Sequence, residues 1–286
     1  MQSAAAPRIS ASSYSNTAPL IWSFLYGTNR GKFELILDNA PARSAELLAG
    51  NRIDAALVPV IEYQRIANAR LVAEVCVGAR ERVRSVCLVT KGADLKDVKT
   101  VALDVSSKTS VALTKIVFRE FLDIEPVYKT ARPNVPEMLA DADCALLIGD
   151  PALMISDSGF GGADLTSDRR SPTTDHCFRK FDLAETWKSY TGFGFVFAMW
   201  MANKDKAEIA RKIDFAAARD EGLAHLDEII SNYETEITLP RADFKKYLSE
   251  NISYAIDDSM QKGLALYYDL AHKHKLIETR KSLDFI

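Results

Sequence analysis

The sequence predicts an α/β fold of two similar lobes, each built on a mostly parallel sheet, with a ligand cleft between them. Three observations lead there. Apolar, β-branched runs alternate with stretches of helical periodicity, the pattern of successive βαβ units. The alternation stops at a polar break, Lys91-Gly-Ala-Asp94, and starts afresh at Val101. A last apolar run, Phe195 to Met201, is followed by helical pattern alone, which can return the chain to the first lobe. The expected division is residues 1–92 for the first part of lobe 1, 93–194 for lobe 2, and 195–286 for the return to lobe 1. A chain of 286 residues, 48% of them hydrophobic, can bury that much core.

In lobe 1, Pro7 to Ala11 reads as a strand, Pro19 to Tyr26 as a helix and Phe33 to Leu37 as a strand. Pro41 to Ala49 reads as a helix whose proline sits in the first turn, where its missing N–H costs nothing. Asp54 to Pro59, Val72 to Val77 and Val86 to Thr90 follow as strands. In lobe 2, strand Val101 to Val105 runs into a helix with Val111, Leu113, Ile116, Val117, Phe118, Phe121 and Leu122 roughly at helical spacing. Strand Glu125 to Tyr128, helix Val135 to Ala140 and strand Cys144 to Ile148 complete it. Asn51 to Val60 and Asp141 to Asp150 share a phrase, acidic and small residues before an apolar strand that ends at a turn residue, as two similar lobes would. After the Phe195 run, helices are expected from about Lys206 to Ser231, Arg241 to Glu250 and Asp257 to His274. Their regular periodicity, including Tyr267 and Tyr268 and the adjoining Asn251 to Tyr254, favours packing on the lobes over reaching into the cleft.

A net charge of −3, with scattered Lys and Arg, gives no footprint for nucleic acid. The N-terminus lacks a basic start followed by an apolar run, and the longest apolar stretch, Gly194 to Ala202, is too short to span a bilayer, so a cytoplasmic protein without membrane contact is expected. Cys76, Cys87, Cys144 and Cys177 make no metal-ligand spacing, and the first three lie in strand-like runs as reduced core thiols. His176-Cys177 falls in a polar surface-loop pattern, and His225, His272 and His274 on solvated helical faces. No cofactor motif and no metal site is expected; oligomeric state is left open.

Polar residues gather at the ends of strands, where α/β sheets bind ligands. Ser106, Ser107, Thr109 and Ser110 crowd the start of the helix after Val105, more hydroxyls than a cap needs. Free amides and the positive end of the helix dipole suit a carboxylate or phosphate there. Asn16, in Ser13 to Leu20, can donate and accept at once, which fits a ligand hydroxyl as well as a turn. Ser85 starts a crossing strand after Arg80-Glu-Arg-Val-Arg84. Gly149-Asp150 ends another strand, and Thr191-Gly192 opens an aromatic segment at the second crossing.

Two α/β lobes with crossing strands are the architecture of type II periplasmic binding proteins and their enzyme relatives. Ser13 to Leu20, Asp54 to Pro59 with Ile61-Glu-Tyr63, Arg84-Ser-Val86, Asp104 to Leu113, Leu147 to Asp150, Asp182-Leu183, Trp187 and Thr191 to Trp200 resemble, in order, the motifs of the chorismate dehydratase family of the futalosine route to menaquinone. The resemblance covers about the first two hundred residues. It implies a small dicarboxylate substrate, with Asn16 and Ser85 lining its reacting end and Ser106, Ser107, Thr109 and Ser110 holding a carboxylate; the strand-end pattern adds Asp150, Thr191 and Gly192 as substrate-binding residues. Two positions depart from the family pattern: Ser15, where a larger apolar residue is usual, is expected to alter the pocket wall, and Gly194, in place of a common Pro, to loosen the hinge. The alternatives are a solute-binding protein for a small organic anion and a neighbouring ring-forming enzyme of the same pathway. The latter calls for a histidine base, and the four histidines stand outside the matched blocks.

Overall fold

The computed structural model describes residues 6–38, 41–155 and 178–286. The first lobe holds strands β1 (Arg8–Ser12), β2 (Glu34–Asp38), β3 (Ala55–Pro59), β4 (Ala69–Ala79) and, far along the chain, β10 (Phe195–Asn203), in the order β2-β1-β3-β10-β4. Strand β1 runs parallel to β2 and β3, and β10 lies antiparallel between β3 and β4. The second sheet is built from β5 (Val86–Thr90), β6 (Thr100–Asp104), β7 (Val127–Ala131), β8 (Cys144–Ile148) and β9 (Arg179–Asp182), in the order β7-β6-β8-β5-β9. Here β6 is parallel to β7 and β8, and β5 is antiparallel to β8 and β9. Each lobe thus has a parallel half completed by a strand that arrives from the other lobe, the two-lobed α/β plan expected. The division at 92/93 follows the polar break; β5, which precedes that break, hydrogen-bonds in the second sheet.

The helices follow the strands. They are α1 (Ala18–Leu25), α2 (Pro41–Ala49), α3 (Ile61–Arg65), α4 (Lys108–Ile116), α5 (Val135–Asp141), α6 (Gly149–Leu153), α7 (Leu183–Thr191), α8 (Ala207–Ala210), α9 (Phe215–Ala224), α10 (Leu226–Tyr233), α11 (Arg241–Lys246) and α12 (Asp258–Lys273). The central strands β3 and β8 are buried at every residue, which is why they read as unbroken apolar runs. Strand β7 starts at Val127, two residues later than expected, because Pro126 has no N–H and pairing begins with the Val127 amide donating to the Lys99 carbonyl. The single helix expected from Lys206 to Ser231 is three: Asp214 caps α9 through the Ala217 amide (2.8 Å), and the chain turns again at His225. Strand β9 and helices α3 and α7 are additions to the sequence reading. The His176-Cys177 pair lies outside the described residues. Cys76, Cys87 and Cys144 are buried in strands, as expected.

Helix α12 joins the lobes where the chain crosses. Trp187 of α7, Phe195 of β10 and Tyr267 of α12 pack edge to face, at 5.3 and 5.1 Å between ring centres. The Tyr267 hydroxyl donates to the Thr109 carbonyl in lobe 2, and Tyr268 beside it donates to Val60 in lobe 1. Gly194 does not loosen this crossing. A Cβ there would meet Met260 at 2.7 Å and the Ala79 carbonyl at 3.0 Å, and its amide, which a proline would lack, donates to Ser259 of α12.

Candidate active site

The cleft between the lobes is lined from one side by Ser12, Tyr14, Asn16 and Phe197, and from the other by Ser107, Ser110, Ile148 and Gly149. Its free volume is about 50 Å³, well below the roughly 300 Å³ at which ligand pockets begin. The lobes are drawn together. Ser15 sends its hydroxyl to the Asp150 carboxylate across the gap, and its amide adds longer contacts of 3.3 and 3.2 Å to the two oxygens. The Tyr14 ring closes on Gly149, where φ is +64° and a Cβ would stand 3.1 Å from the ring. Gly149 therefore admits the Tyr14 ring at a position where a side chain would crowd it.

The hydroxyl-rich helix start divides its labour. Ser107 caps α4, paired to the Ser110 hydroxyl at 3.0 Å, and both line the cleft. Ser106 donates through its hydroxyl (2.6 Å) and amide (3.0 Å) to Asp104 and faces the Tyr14 phenol. Thr109 turns away from the cleft, its hydroxyl accepting from the Ile61 amide of lobe 1 at 3.3 Å. Beside it Lys108 forms an ion pair with Glu62, 3.4 Å across the lobes. Ser107 and Ser110 thus face the cleft, with Ser106 bracing the turn and Thr109 tying the lobes.

Asn16 lines the cleft, and Ser85 is buried at the start of β5. The structure brings them together at one phenol: Tyr247, at the end of α11, lies against both side chains. This is the residue the sequence reading missed, since the helices after residue 205 were expected only to pack. Nothing in the local periodicity separates Tyr247 from the other buried aromatic residues near it. Thr191 and Gly192 are not brought to the cleft. They end α7, with the Thr191 hydroxyl on the Trp187 carbonyl (2.8 Å) and Gly192 left-handed at φ +75°.

The segment before Ser85 is held by Asp182. Its carboxylate accepts from the amides of Val83 (3.3 Å), Arg84 (2.5 Å), Ala184 (2.9 Å) and Glu185 (3.1 Å), so one group caps α7 and fixes the crossing loop. Arg84 sits at φ +62°, a left-handed conformation that places Ser85 at the strand start. Burial raises the pKa of the carboxyl groups of Asp104, Asp150 and Asp182, each offset in part by the hydrogen bonds it accepts. The cleft lining among the described residues includes no histidine and no cysteine.

Two lobes, each with a parallel half-sheet, two crossings and a cleft between, define a protein of the periplasmic-binding-protein fold. A solved protein of Archaeoglobus fulgidus shares it with a TM-score of 0.70 at 17% identity, covering 95% of this chain and 98% of that one. The periplasmic aliphatic sulphonate binding protein of Escherichia coli does so at 0.62 and 17% identity, covering 97% and 90%. Within this fold the chain belongs to the menaquinone biosynthesis family, whose model matches residues 7–273. The chorismate dehydratase of Thermus thermophilus is 29% identical over 256 residues, 89% of this chain and 91% of its own length.

Proposed function

We propose that this protein removes water from chorismate to give 3-[(1-carboxyvinyl)oxy]benzoate in menaquinone biosynthesis, as a cytoplasmic enzyme. The observation that carries the reading is that Asn16 shares one cleft with Ser107 and Ser110 and meets Ser85 at one buried phenol behind it. Family membership and the dehydratase relative support it.

The chemistry suits a site of neutral hydrogen-bonding groups. Chorismate carries two carboxylates. The ring hydrogen beside its enolpyruvyl ether is acidified through the conjugated diene by the ring carboxylate. Breaking that C–H bond and the neighbouring C–OH bond makes the ring aromatic, so the driving force is internal. The protein has to orient the dianion and stabilise charge developing on the ring carboxylate. Ser107, Ser110 and the free amides of α4 hold that carboxylate, and Asn16 and Ser85 hold the enolpyruvyl side chain so that its own carboxylate receives the ring proton. The C–OH bond breaks at the adjacent carbon, the leaving hydroxide takes that proton from the side-chain carboxyl and departs as water, and the carboxylate is restored. Asp150, engaged by Ser15, closes the lobes over the substrate.

The test is to mix purified protein with chorismate, without metal or nucleotide, and follow products by chromatography and mass. An aromatic product lighter by one water is expected. Unchanged chorismate that nonetheless binds would favour a solute-binding protein instead.

A further inference from the structure

Tyr247 is fully buried, and its phenol oxygen has no hydrogen bond of good geometry to any described residue, although it lies against Ser85 and Asn16. Leaving such a group unpaired costs on the order of 1–3 kcal/mol, so its place calls for a reason. Its backbone is not free to drift. Tyr247 opens a π-helical turn, Tyr247–Asn251, a geometry found often at functional sites. That turn is clamped: Asn251 donates to the Arg82 carbonyl at 3.4 Å, and Ser253 exchanges backbone hydrogen bonds with Gly78 of β4 at 2.8 and 3.0 Å. The ring itself stacks near Phe244. A fixed ring therefore holds its O–H beside Ser85 and Asn16 without a well-formed hydrogen bond to either. Burial pushes the phenol pKa far upward, so it remains a neutral donor.

We propose that Tyr247 is a positioning residue for the dehydration: when substrate engages Asn16 and Ser85, its O–H donates to one of them, setting the orientation in which they hold the enolpyruvyl side chain. This rests on the dehydratase reading. Tyr254, a few residues on, provides the internal control. It too is buried with an unpaired hydroxyl, and its neighbours are Tyr247 and Tyr233.

The experiment is steady-state turnover of chorismate by wild type, Tyr247→Phe, Tyr254→Phe, Ser85→Ala and the Tyr247→Phe/Ser85→Ala double variant, each with a thermal melt. Tyr247→Phe is expected to lose about tenfold or more in kcat with KM within about threefold, while Tyr254→Phe retains wild-type kcat. In the Ser85→Ala background the Tyr247→Phe loss should shrink, because the groups act as a unit. Wild-type kcat in Tyr247→Phe, an equal loss in Tyr254→Phe, or full additivity with Ser85→Ala would each overturn the proposal. No turnover by wild type would instead remove the dehydratase reading, and this inference with it.

Discussion

The Ser15 hydroxyl donates to the Asp150 carboxylate from one lobe to the other. Ser15, expected to alter the pocket wall, supplies a bond across the cleft. A hydrogen bond to a charged group contributes about 1.5–3 kcal/mol, enough to shift a two-state opening by about tenfold or more. Ser15→Ala should therefore expand the protein in the absence of substrate, read as a larger radius of gyration by small-angle scattering. Unchanged scattering would mean that the aromatic packing around α12 holds the lobes together without this bond.

Asn16 is expected to serve geometry during turnover more than affinity, because Ser107, Ser110 and the amides of α4 remain to bind a carboxylate. Asn16→Ala should lower kcat by about a hundredfold with KM within about fivefold. A variant with normal turnover would place the reacting end of the substrate elsewhere.

Asp182 links two lengths of chain through four amide donors, and its removal leaves the buried Val83 and Ala184 amides without that acceptor. Asp182→Ala should destabilise the fold by roughly 3 kcal/mol in chemical denaturation and lower kcat through Ser85. A loss below about 1 kcal/mol would show that the left-handed Arg84 turn stands without it.

The Asp104 carboxyl has one oxygen on Ser106 and the other buried without a partner, and burial raises its pKa. A carboxyl whose folded pKa is raised adds stability below its unfolded pKa, and that contribution is lost as pH rises through the folded value. Asp104→Asn does not ionise. Its melting temperature relative to wild type should therefore climb between about pH 4 and about pH 7. A constant difference over that range would contradict the assignment.

Most of the fold is legible in the sequence because βαβ grammar writes it locally. The fully buried β3 and β8 read as continuous apolar runs, and Pro41 marks the start of α2 to the residue. Strand β9 escapes notice because its four residues, Arg-Lys-Phe-Asp, carry no apolar run. Asn16, Ser107 and Ser110, which line the cleft, stand out in the sequence because cap chemistry and ligand chemistry use the same residue types at strand ends. The opposite side of that overlap explains Thr109, Thr191 and Gly192, whose hydroxyl and glycine chemistry ties the lobes or ends a helix. Tyr247 was beyond reach for a different reason. It meets Asn16 from more than two hundred residues away, through a contact that only the folded lobes create.

Dehydration of chorismate by neutral side chains, with the substrate supplying its own base, has a pH signature. The most direct measurement is kcat for chorismate from about pH 6 to about pH 9, with the product weighed at each point. Formation of the aromatic ether acid at a rate flat across that range is expected, since neither a histidine nor a cysteine lines the described cleft and burial carries the Tyr14 and Tyr247 hydroxyls upward. A limb near the ordinary histidine pKa would identify a protein base, and the absence of product at every pH would contradict the assignment itself.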